Sequence, residues 1–177
     1  MSAPRGPQRL RLFTALWPDA ATLARLAAQR DAWDWPRGAR PVPAPLLHIT
    51  LHFLGAVPAE RLDEIDASLR PVPVGAFEMR LDTHELWRGG LAVLLASEVA
   101  PSLAALHGAV GEALQAIGFS GEARPFVPHV TLARHARAAG VPSGLPPLQW
   151  AGCEFTLVES APSADRYRVL RRYGRRE

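Results

Sequence analysis

Residues 9 to 17, "RLRLFTALW", alternate between polar and apolar positions at their start and read as a β-strand. Pro18 interrupts them, and Asp19 is placed to cap a helix carrying Leu23, Leu26, Ala27 and Arg30 at helical spacing. Residues 34 to 45, "DWPRGARPVPAP", are dense in proline and glycine and predict a loop. "LLHITLHFLG" alternates again and predicts a strand closed by Gly55. Pro58 opens a second helix, with Leu62, Ile65 and Leu69 on one face. Residues 75 to 87 read as extended structure, Gly89 and Gly90 as a turn, and residues 91 to 97 as a buried strand. Pro101 starts a third helix, whose stripe is Leu103, Leu106, Val110, Leu114 and Ile117, and Gly118 ends it. "FVPHVTLAR" predicts a strand and residues 138 to 148 a loop. "WAGCEFTLVES" and "DRYRVLRRY" read as two closing strands.

The pattern occurs twice. A strand from Leu10 leads through a helix to His48, 38 residues on; a strand from Leu91 leads through a helix to His129, again 38 residues on. Each half reads strand, helix, loop, then a strand bearing His-x-Thr, and such self-similarity predicts two related lobes. A two-fold axis between them would set the two His-x-Thr strands facing each other across a cleft. On a strand, residues two apart share a face. His48 and Thr50 therefore point together, as do His129 and Thr131, while Ile49, Leu51, Val130 and Leu132 point into a core. His52 falls on the face of His48, but Ala133 stands at the equivalent place in the second half, so the repeated chemistry stops at His48 and Thr50. Strict alternation puts Arg134 opposite His129 unless a bulge or the strand end turns it inward. His107 sits beside an apolar helical stripe and reads as packed, His84 and His135 as loop or strand-end residues.

Composition narrows the classes. The 177 residues favour one domain, 1–177, possessing a sizeable core, and a hydrophobic fraction of 48% is that of a globular protein. No apolar run reaches the roughly 20 residues that span a bilayer, and the first residues lack a signal-peptide pattern. Cys153 is the only cysteine, which leaves no internal disulfide and no cysteine-based zinc site. A cytoplasmic monomer is the expectation. The net charge is +3, and all 20 basic residues are arginine. Arg168, Arg171, Arg172, Arg175 and Arg176 cluster at the C-terminus, where they read either as a solvated end or as a contact for nucleic acid.

Two imidazoles in one cleft suit acid–base chemistry. Free imidazole titrates near pH ~6.5, so one ring can be neutral while the other is protonated. Such a pair can remove and deliver protons on opposite sides of one phosphorus, with threonine hydroxyls and Arg134 holding the non-bridging oxygens. A metal site built from His48, His52 and His129 is the competing use of the same residues, but no carboxylate accompanies it. No nucleophile elbow, P-loop or dinucleotide-binding glycine pattern is present.

The paired motifs His48 to Leu51 and His129 to Leu132, with "RLFTALWP", "LHITLHFLG", "RPFVPHVTLAR", "FTLVES" and "YRVLRRY", resemble the two-histidine (2H) phosphoesterases. The closer likeness is to bacterial and archaeal RNA 2′,3′-cyclic phosphodiesterases, also called 2′-5′ RNA ligases. That resemblance implies a bilobal α+β fold: a pseudo-two-fold duplication with two antiparallel sheets facing a central cleft and helices outside. It implies metal-independent hydrolysis of RNA or nucleoside 2′,3′-cyclic phosphates to 2′-phosphomonoesters, with no cofactor. His48 would be the proton donor to the leaving 3′-oxygen and His129 the base that activates water, while Thr50, Thr131 and Arg134 would bind the phosphate. Joining of RNA ends through a 2′-5′ bond is also linked to the family. Two alternatives stay open at this point: a non-catalytic RNA-end binder, and a related enzyme acting on a different cyclic phosphate.

Overall fold

The computed structural model describes residues 8–121, 124–161 and 167–174. Arg175 and Arg176 of the arginine cluster lie outside the described residues. The architecture is α+β and mainly antiparallel. The strands of the main sheet are β1 (Arg9–Leu16), β2 (Arg40–Pro41), β3 (Ile49–Pro58), β5 (Thr83–Trp87), β6 (Leu91–Leu95), β7 (His129–Arg134), β9 (Glu154–Ser160) and β10 (Tyr167–Gly174). They run in the order β10-β9-β1-β3-β7-β6-β5, with the short β2 also paired to β7. A separate two-stranded sheet pairs β4 (Phe77–Leu81) with β8 (Leu148–Gly152).

The expectation of two sheets that face each other meets a different connectivity. β3 and β7 are themselves hydrogen-bonded, so both halves lie on one path, and the register across that seam is set at the pair Ile49↔Val130. Two stretches read as continuous strands are each broken. Residues 75 to 87 split at Asp82, whose carboxylate accepts hydrogen bonds from the Ser97 N–H (3.0 Å), the Ser97 hydroxyl (2.9 Å) and the Thr83 hydroxyl (3.1 Å). The closing segment splits at Cys153. In both cases one piece joins the main sheet and the other the small sheet, a distinction that alternation alone does not carry.

The helices form where their caps and stripes put them. In α1 (Ala20–Asp31) the Asp19 carboxylate accepts the Thr22 N–H at 2.7 Å. Pro58 ends β3 rather than starting a helix; a 3₁₀ turn over residues 59–61 intervenes before α2 (Leu62–Leu69). Pro101 heads α3 (Pro101–Ala116), and Gly118, at φ +88°, closes it with the Phe119 N–H donating to the Leu114 carbonyl. Leu26, Ile65, Leu69, Leu103, Leu106, Val110 and Leu114 of these helices join Leu47, Ile49, Leu51, Val130 and Leu132 in one core. None of the described helices is long and apolar enough to cross a membrane. A smaller cluster of Phe13, Ala15 and Val158, with Trp17, Tyr167 and Val169 against it, is separate from that core.

Candidate functional site

The seam between β3 and β7 carries the candidate site. With Ile49 opposite Val130 in an antiparallel pair, His48 falls beside Thr131 and Thr50 beside His129. Four side chains of the two motifs therefore form one patch on the side away from Ile49 and Val130, both fully buried. Directly opposed strand positions keep their Cβ atoms roughly 5 Å apart, and diagonal ones roughly 7–8 Å. The two imidazoles are the diagonal pair, a separation suited to flanking one small group.

Both rings are aimed in the same way. His48 Nδ1 donates to the Leu46 carbonyl at 2.7 Å, and His129 Nδ1 donates to the Val127 carbonyl at 2.8 Å. A carbonyl only accepts, so Nδ1 carries the hydrogen in each ring, and Nε2 is the nitrogen that takes or gives the second proton. The His48 Nε2 accepts from the Thr50 hydroxyl at 3.2 Å. The anchoring carbonyl lies two residues before each histidine, a contact local to the strand entry and invisible to periodicity.

Aromatic neighbours complete each half. The Trp17 indole stacks on His48 with ring centres 5.3 Å apart and planes at 4°. Tyr167 meets the same imidazole edge-on at 5.2 Å, and Phe13 lies tilted against it at 5.1 Å. On the other side Trp87 leans on His129 at 4.5 Å. Burial in the first enclosure pulls His48 down to about 4; the Leu46 carbonyl opposes this, and the charges of His129 and Arg134 add to it. His48 is therefore neutral at pH 7 in the free protein. Sequence reasoning missed these aromatics. Phe13 and Trp17 stand four apart in an extended segment, a parity that could have marked them, whereas Tyr167 and Trp87 come from strands distant in sequence.

Two β-bulges revise the alternation. In β3, Thr14 pairs with His52 and Ala15 with Thr50, so Leu51 has no partner. In β7, Ala92 pairs with Ala133 and Val93 with Thr131, so Leu132 has none. Each bulge lies one residue past the threonine and flips the parity of the positions beyond it. His52 does not share the face of His48: it is 8% exposed, its Nε2 lies 2.8 Å from the His107 carbonyl, and its ring stacks on His107 at 4.1 Å. The Gly111 position on α3 fits because a Cβ there would stand 3.0 Å from the His52 ring. The ligand set His48, His52 and His129 is thus not assembled. By the same inversion Arg134, exposed at the end of β7, returns to the patch side, where its charge bears on His48. Phe53, 57% exposed and 6.0 Å from Phe13, is its counterpart on β3. His107 packs between His52 and Phe126, as its place beside the stripe predicts. His84 lies within β5 and His135 follows β7 with φ 55°.

Comparison with known proteins identifies the family. The family model of the 2′-5′ RNA ligase superfamily matches residues 16–161. The RNA 2′,3′-cyclic phosphodiesterase of Escherichia coli is 33% identical over 94% of this chain and 96% of its own length. The protein of the same name from Thermus thermophilus is 34% identical over 94% of this chain and 91% of its own. Among solved structures, Escherichia coli LigT complexed with 3′-AMP superposes with a TM-score of 0.81 at 29% identity, covering 94% of this chain and 98% of that one. The chain belongs to the 2′-5′ RNA ligase superfamily.

Proposed function

We propose that this protein hydrolyses RNA or nucleoside 2′,3′-cyclic phosphates to 2′-phosphomonoesters, without a metal, by acid–base catalysis between His48 and His129. The observation that carries the reading is the patch itself: two imidazoles, both with Nδ1 tied to a backbone carbonyl, diagonal across one strand pair and interleaved with two threonine hydroxyls. The curated relatives are named RNA 2′,3′-cyclic phosphodiesterase over nearly the whole chain, and a similar structure is of a complex with 3′-AMP.

The step balances on these residues. Water attacks the phosphorus as His129 Nε2 takes its proton. The bond from phosphorus to the 3′-oxygen breaks, and His48 Nε2–H delivers a proton to that oxygen. Thr50, Thr131 and Arg134 hold the non-bridging oxygens. His48 is neutral before substrate arrives, so its donor role requires a proton gained with the substrate: the negative phosphate favours the imidazolium that burial disfavours. With an RNA 5′-hydroxyl in place of water, the same transfers yield a 2′-5′ phosphodiester.

Internal duplication underlies the site. The anchoring carbonyls, the histidines, the threonines and the bulges all recur 81 residues apart, and the antiparallel pair at Ile49 and Val130 has a local two-fold axis of its own. The strand order supports this reading: outward from the seam, β3, β1 and β9 on one side answer to β7, β6 and β5 on the other.

The deciding assay offers 2′,3′-cyclic nucleotides in the presence of EDTA and identifies the product. His48→Ala and His129→Ala should each lower kcat by about 10²–10⁴-fold while the proteins stay folded. Full activity in either variant, or loss of wild-type activity on chelation, would overturn the proposal.

A further inference from the structure

Beyond His129 the patch runs into an open groove of about 530 Å³, lined by Trp87, Arg88, Gly89, Gly90 and Arg137 along with Leu86. Its walls are the β5–β6 hairpin and the turn after β7. The two are held together by the Ala136 N–H, which donates to the Gly90 carbonyl at 2.9 Å. Gly90 is required there twice over. Its φ is +81°, and a Cβ would stand 2.8 Å from Arg137 Cγ and 3.0 Å from the Ala136 nitrogen. The hairpin thus brings Arg88 and Arg137 to one groove, although they are far apart in sequence. Both guanidinium-bearing residues are exposed, and among the described residues neither pairs with a carboxylate. The nearby Glu85 carboxylate is engaged by the Trp87 Nε1–H at 2.6 Å, which fixes the indole.

The order of groups along the surface is therefore acid–base pair, indole, paired arginines. A ring that is fixed and half-buried offers a stacking surface to any base. Two unpaired guanidinium groups suit a phosphodiester. We propose that this groove is a subsite for the RNA strand leading to the reacting end: the adjoining nucleotide rests its base on Trp87 and its phosphodiester between Arg88 and Arg137. The inference rests on the reading of the patch as the site of a terminal cyclic phosphate. Its consequence is a preference for oligonucleotide ends over free cyclic mononucleotides, expressed in KM.

The test compares a 2′,3′-cyclic mononucleotide with a trinucleotide ending in the same cyclic phosphate. Wild type should show kcat/KM at least about tenfold higher for the trinucleotide, as expected of one stacked base plus one held phosphate. The double variant Arg88→Gln/Arg137→Gln should lose that advantage through KM, leave mononucleotide hydrolysis within about twofold, and flatten the salt dependence for the trinucleotide by about one unit of log–log slope. Arg88→Lys/Arg137→Lys should recover part of the advantage. If wild type hydrolyses both substrates with equal kcat/KM, or the Gln variant keeps the preference, the subsite is refuted and the phosphodiesterase reading stands. If wild type hydrolyses neither, the reading of the patch fails instead. Calorimetric titration with a trinucleotide 3′-phosphate then decides the groove: several-fold weaker binding in the Gln variant supports it, and unchanged binding refutes it.

Discussion

At the scale of single residues, local environment separates His48 and His129, whose rings are tied through Nδ1 at the patch, from His52 and His107, which stack on each other. His48 and His107 are both pushed down to about 4, chiefly by burial. Their unfolded values lie near ~6.5, so between pH ~6.5 and ~4 the unfolded chain binds protons that the folded one refuses. Stability from these two residues is present above that window and falls as pH drops through it. After allowance for solvent screening, each is worth about 1 kcal/mol by pH 5. The melting temperature should fall by about 4 °C or more between pH 7 and pH 5, judged by calorimetry. His107→Phe preserves the stack between His52 and Phe126, removes one titration, and should show a smaller fall. An equal fall would assign the acid sensitivity elsewhere.

At the scale of elements, the bulges at Leu51 and Leu132 decide which side chains reach the patch. They send His52 and Ala133 to the core and bring Arg134 and Phe53 to the patch side. The join between α2 and β10 is made by a buried carboxylate. Asp66, 5% exposed, accepts the Tyr173 hydroxyl at 2.9 Å and the Arg70 guanidinium at 2.7 Å. Burial of the phenol, then its bond to the charged Asp66, push Tyr173 up, and the bonds from Arg70 and Tyr173 pull the Asp66 carboxyl down against its own burial. Asp66→Ala leaves the Tyr173 hydroxyl unpaired and should cost about 2–3 kcal/mol, read from urea unfolding. Tyr173→Phe should cost less, since it removes the hydroxyl but leaves Asp66 its two exposed arginine partners, Arg70 and Arg171. The reverse ranking would mean that the phenol is satisfied by other groups.

At the scale of the whole molecule, both halves of the main sheet meet at Ile49 and Val130, directly beneath the patch. Ile49→Ala should cost about 2–5 kcal/mol, as large-to-small core changes do. It should also lower kcat more than Leu69→Ala, an equally buried truncation on α2. Equal kcat values at matched stability would show that the seam does not set the catalytic geometry. The helices, most strands and the two His-x-Thr motifs were legible along the chain because caps, apolar stripes and alternation are local properties. The breaks at Asp82 and Cys153 were not, because a strand's pattern does not say which sheet it joins. Nor were the bulges, since an unpaired residue exists only relative to a partner strand. The sequence by itself determined the paired motifs, their apolar backing and the α+β class, which depend on spacing within a few residues. Only the tertiary structure decided that His48 lies in an aromatic enclosure, that His52 leaves the patch side while Arg134 returns to it, and that Arg88 and Arg137 line one groove. Each of those depends on contacts between segments far apart in the chain, where register and packing, not periodicity, set the neighbours.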